Sequence, residues 1–214
     1  MWRTIIRSSL AVLALTAAPV AWAQSGPTPF PENLRSPQHN VLQLKSYASG
    51  VQVYACKAKA DDPNTFEWTF KEPVAELWNE RGEKIGKHFA GPTWEGNDGS
   101  KVVGMVVERA NAPDRDAIPW LLLQTKSNAG TGVFTPVTYI QRLETVGGIA
   151  PTEGCDQATV NAERDVEYAA TYLFYVWRGD VAQDQSDDVD GMRGVPSRDA
   201  MLAAARHDSS EEAR

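Results

Sequence analysis

The stretch VEYAATYLFYVW, residues 166–177, decides the fold. Taken alternately, Tyr168, Tyr172 and Phe174 fall on one side and Leu173, Tyr175 and Trp177 on the other, so both faces are rich in apolar atoms. A buried helix and a strand covered on both sides each satisfy that pattern, and the density of aromatic and β-branched side chains selects the strand. Upstream, short period-two runs are broken by Gly, Pro and Asn. Val51, Val53 and Ala55 alternate with Gln52, Tyr54 and Cys56, while 66–70 and 74–78 read as separate strands. Asn79-Glu80-Arg81-Gly82 supplies a turn into a hairpin partner at 84–89. Residues 100–109, with Val103, Met105 and Val107 on one face, then 120–125 and 137–145, add further strands. No amphipathic helical period is sustained over three turns in this region. The expectation is one all-β domain over residues 41–177, an antiparallel β-sandwich or barrel of about nine strands.

The remainder of the 214 residues reads as flanks. Arg3 and Arg7 precede an uncharged run over 8–20, and Ala21-Trp22-Ala23 places small residues where signal peptidase reads them. Residues 1–23 are therefore expected to be a signal peptide cleaved before Gln24. The run of 13 residues falls short of the roughly 20 that a spanning helix needs, so no stable membrane insertion is expected after cleavage. Residues 24–40, rich in Pro and Ser, form a flexible lead-in, and 178–214, with nine acids and five arginines, a disordered acidic tail. Two motifs in the tail lack their context. Arg178-Gly179-Asp180 is three common residues in a row, and SDDVDG at 186–191 puts Ser197 where a calcium loop requires a bidentate Glu.

Charge and cysteines follow from the address. The chain carries 21 basic and 28 acidic side chains, and loss of the leader removes two arginines and no acid. Such an excess of acid opposes a surface that tracks phosphates, so no nucleic-acid partner is expected. Export to the periplasm or medium makes a bridge between Cys56 and Cys155 the expected state of the only two cysteines.

The candidate site is HFAGPTWEGNDGSK, residues 88–101, which gathers an imidazole, an indole, two carboxylates, a hydroxyl and an amine among three glycines and a proline. It reads as a loop displayed at one end of the fold, with His88, Trp94, Glu95, Asp98 and Ser100 facing a ligand and Trp78 adding a stacking wall. Turn chemistry explains much of the same stretch without a site, because Asn97-Asp98-Gly99 is a tight-turn sequence. A small molecule or glycan is the expected partner. The alternative is a small glycan-directed hydrolase using Glu95 with Asp98 or Glu76, and a third reading is a structural envelope protein.

Other chemistries fail on their own requirements. Gly130-Thr131-Gly132 lacks the third glycine and the crossover helix of a dinucleotide site. Ser100 has no nucleophile-elbow frame, and with the cysteines bridged only His88, Glu95 and Asp98 remain as a local metal set, too few for a zinc site. No cofactor or metal is expected, and the oligomeric state is left open.

The segments GVQVYAC at 50–56, HFAGPTWEGNDGS at 88–100, IPWLLL at 118–123, YIQRLETVGG at 139–148, Pro151 with Cys155, and YAATYLFY at 168–175 resemble, in this order and spacing, the domain-of-unknown-function family numbered 3455. The resemblance spans about residues 41–177. It implies an exported protein, since the family consists mostly of exported bacterial proteins with fungal relatives, and it brings no reaction, ligand or catalytic residue.

Overall fold

The computed structural model describes residues 30–179; the expected signal peptide and nearly all of the expected acidic tail, with its calcium-loop-like run, lie outside them. Eight antiparallel strands follow one another round a closed barrel: β1 (Asn40–Ala58), β2 (Phe66–Trp78), β3 (Lys84–Phe89), β4 (Thr93–Gly96), β5 (Lys101–Ala110), β6 (Trp120–Ala129), β7 (Val137–Gly147) and β8 (Glu163–Trp177). The last strand returns to the first, pairing from Asn40 with Trp177 to Ala55 with Glu163, so that no sheet edge is left open. The all-β expectation is thereby resolved to a barrel. Among the described residues the helical content is two 3₁₀ turns, Glu32–Leu34 and Gln157–Thr159.

The strands number eight where about nine were expected, and two of them differ from the sequence reading. Residues 66–78 form one strand instead of two, because Lys71 is an extra residue between Glu72, which faces Val53, and Phe70, which faces Tyr54. The interruption in the pattern is thus a bulge followed by Pro73, which cannot donate to the ladder. Conversely, Thr93–Gly96 pairs with β3 on one side and β5 on the other. The stretch expected as a displayed loop is therefore the end of β3, a turn at 90–92, β4 and a turn at 97–100.

The two-sided apolar character of β8 has two separate causes. Tyr168, Ala170, Tyr172, Phe174 and Val176 point into the barrel core. Leu173 instead joins Trp120, Leu122, Leu143 and Leu34 in a second cluster outside the barrel, with Tyr175 and Phe30 against it. The cover of that outer face begins at Phe30, inside the stretch read as a flexible lead-in. Leu34 is fully buried there, and its carbonyl accepts a hydrogen bond from Gln141, whose own amide oxygen accepts from the Tyr175 hydroxyl at 2.6 Å.

The up-and-down winding gives the barrel two unlike ends. Turns 79–83, 97–100 and 130–136 lie at one, and the connections 59–65, 90–92, 111–119 and 148–162 at the other. Phe134 closes the first end, fully buried and 4.8 Å from Phe174 between ring centroids. At the second end a disulfide joins Cys56 to Cys155, with Cα atoms 5.4 Å apart, and so ties β1 to the 148–162 connection. The Tyr54 hydroxyl donates to the Gly148 carbonyl of that same connection at 2.6 Å.

Candidate functional site

His88 and Trp94 are brought together by the shortest hairpin of the barrel. They are direct partners across β3 and β4, so both side chains leave the sheet on the same, inward face. Their rings stack with centroids 4.4 Å apart and planes 14° from parallel. Tyr172 of β8 meets each edge-on, at 5.2 Å from both. Gly104 on β5 makes room for the indole, since a Cβ there would stand 3.1 Å from the Trp94 ring and 3.1 Å from Leu123.

The protonation state of His88 follows from its contacts. Nδ1 lies 2.8 Å from the Thr93 carbonyl oxygen. A carbonyl only accepts, so Nδ1 carries the hydrogen and Nε2 of the neutral ring keeps its lone pair. Burial pushes the imidazole down from 6.5 to about 3, helped by the positive charge of Arg142 and opposed by the bond to Thr93. The ring is neutral at any ordinary pH and acts as a flat, weakly polar surface.

Beyond this stack the barrel opens into a cavity of about 470 Å³ at the end bounded by Gly91, Pro92, Ile118 and Pro119. That volume falls in the ordinary range for small-molecule pockets. Its lining is mixed: Phe70, Val106, Leu121 and Leu123 are apolar, and Gln52, Tyr54, His88, Trp94 and Tyr172 aromatic or polar. Three cations, Lys71, Arg109 and Arg142, stand on the lining, and no carboxylate does. Arg142 comes from β7 and is held by two hydrogen bonds to the Pro119 carbonyl, at 3.1 Å from Nε and 2.8 Å from Nη2.

Several polar atoms around this space lack a protein partner. Trp94 Nε1, Gln52 Nε2 and the Tyr172 hydroxyl are buried without a hydrogen-bond partner in the protein, as is the Tyr168 hydroxyl behind them. The tyrosines, Gln52 and Arg142 are close enough to influence one another's ionisation, yet none of these pairs closes to hydrogen-bond geometry. Burial raises the Tyr172 phenol above its usual value while Arg142 pulls it back down.

The other residues singled out from the sequence lie elsewhere. Glu95, next to Trp94 on a strand, points outward and is clamped by Lys101 at 2.6 Å and Lys87 at 3.4 Å. Those contacts, the bond to Lys101 foremost, hold its carboxyl below the usual range. Asp98 and Ser100 stand at the closed end. Asp98 accepts from the Ser100 hydroxyl at 2.6 Å and from the Ser100 and Val133 amides at 2.9 and 2.7 Å, while Ser100 Oγ accepts from the Phe134 amide at 3.0 Å. These bonds, led by that from Ser100, also lower the Asp98 carboxyl. Trp78 is half-buried at the far end of β2, beside the 79–83 turn, and Glu76 on the same strand pairs with Lys84. The residues that sequence reasoning did not single out are Gln52, Tyr54, Arg142 and Tyr172. Gln52 interrupts the apolar pair Val51 and Val53 with a polar group, and that was the available signal; Arg142, between Gln141 and Leu143, carries none.

The architecture defines the class: a closed eight-stranded antiparallel β-barrel with one sealed end and an interior cavity at the other. The chain belongs to the family described as protein of unknown function (DUF3455), which matches residues 37–176 and so takes in nearly the whole barrel. No curated protein matches the chain significantly, and no solved structure does so.

Proposed function

We propose that the protein is an exported binding protein that holds one small organic molecule inside its barrel, with His88 and Trp94 as the stacking surface. The observation that carries this reading is the 470 Å³ cavity lined by buried, unpartnered polar atoms among apolar side chains. An eight-stranded barrel is just wide enough either to be filled by its own side chains or to hold one such molecule. A binding role also asks less of the residues than catalysis does. Glu95 and Asp98, the carboxylates of the hydrolase alternative, both favour the ionised form, whereas a glycosidic general acid needs a raised pKa.

The test uses N-phenylnaphthylamine, a neutral dye that brightens in apolar surroundings. Titration is expected to show one saturable site per chain, and Val106→Trp, which places an indole in the cavity, is expected to remove it while cooperative unfolding is retained. Undiminished dye binding in a folded Val106→Trp protein would sink the reading. Export rests on the leader pattern of residues 1–23 and on the Cys56–Cys155 bridge, which suits an oxidising compartment.

A further inference from the structure

The cavity carries more information than its size. The lining holds Lys71, Arg109 and Arg142 and no Asp or Glu, in a chain whose formal net charge is −7. Lys71 is neutralised at the rim by Glu163 at 2.7 Å and Glu72 at 3.6 Å. Arg142 differs. Among the described residues it has no carboxylate partner, its bonds to protein go to a neutral carbonyl, and its charge is felt by His88, Tyr54, Tyr168 and Tyr172 inside the barrel. A half-buried guanidinium at a cavity without a counter-charge is an incomplete pair. The unpartnered groups around it reinforce the sign. Trp94 Nε1 and Gln52 Nε2 are donors, and the Tyr172 hydroxyl is able to donate.

We infer, building on the proposed binding role, that the ligand is an amphiphilic organic anion: an apolar or aromatic body against Leu121, Leu123 and the His88–Trp94 stack, and a carboxylate or related oxyanion at Arg142 with Tyr172 and Gln52 completing its hydrogen bonds. The guanidinium fork suits a planar or tetrahedral oxyanion, which accepts two parallel bonds from it. Neutral His88 contributes surface and no charge, so recognition of the anionic group falls to Arg142.

A matched pair of dyes separates the charge from the cavity. Anilinonaphthalene sulfonate is N-phenylnaphthylamine with a sulfonate added. The anionic dye is expected to bind about tenfold or more tightly than the neutral one at low salt, the worth of one charge-assisted hydrogen bond. In Arg142→Gln the ratio of the two affinities is expected to fall to about one, with cooperative unfolding showing that the barrel is folded. Arg142→Lys is expected to keep most of the advantage, and Lys87→Gln, on the outer face, all of it. Equal binding of the two dyes, or equal weakening of both in Arg142→Gln, would overturn the anionic ligand and leave the cavity reading intact. Binding of neither dye to the wild-type protein would overturn both.

Discussion

His88 sits 3% exposed among aromatic rings with one hydrogen bond, and that placement makes acid stability a direct reading of one side chain. Its folded value near 3 lies below the ordinary 6.5, so between those values the unfolded chain binds a proton that the folded chain refuses. The contribution is fully present above pH 6.5 and is lost as the pH falls toward 3, to a total of about 5 kcal/mol. Denaturant unfolding followed from about pH 7 down to about pH 5 is expected to show a steady decline before the carboxylates begin to titrate. His88→Phe is expected to flatten that portion of the profile. A wild-type protein with constant stability across the interval would show that the ring is open to solvent and protons. Nothing in HFAGPTW indicates which way the imidazole faces, because its inward direction depends on β4 being a strand.

β4 and its flanking turns form the element in which sequence and structure part most clearly. Asn97-Asp98-Gly99 is legible as a tight turn, and it is one, with Gly99 at φ +82°. What the turn grips is not legible, since Val133 and Phe134 lie 35 and 34 positions away. Asp98 and Ser100 therefore act as a latch that pulls the 130–136 connection over the barrel end and seats Phe134 against Phe174. Asp98→Ala and Ser100→Ala are each expected to cost about 1–2 kcal/mol in chemical unfolding, with a double variant short of additive because the two side chains share one network. Full additivity would mean that the two residues work independently. Gly132→Ala attacks the same latch from the other side, since its Cβ would stand 2.1 Å from the Asp98 carboxylate.

For the molecule as a whole, the disulfide and the closure of β8 on β1 act on the same long-range problem. Cys56 and Cys155 are separated by 99 positions, and the first and last strands must meet before the barrel exists. A cross-link closing a loop of about 100 residues removes unfolded-chain entropy worth about 4.7 kcal/mol in the chain-entropy model. On the proposed export, the protein is expected to begin at Gln24, to show no alkylation before reduction, and to lose about 4–5 kcal/mol of unfolding free energy once reduced. Ready alkylation of the unreduced folded protein would remove the bridge from the account.

The sequence by itself determined the local and compositional properties. Aromatic and β-branched alternation set the strands, Gly, Pro and Asn set the turns, and the order of six short segments marked the family. Each of these signals is carried by neighbours within one strand or turn. Tertiary structure alone decided closure into a barrel and which face of each strand looks inward, because both depend on register between strands far apart in the chain. The same dependence separated the candidate residues. A period of two sends Trp94 into the cavity and its neighbour Glu95 out to two lysines, and the barrel then sets Gln52, Arg142 and Tyr172 from three distant strands around the space that Trp94 faces.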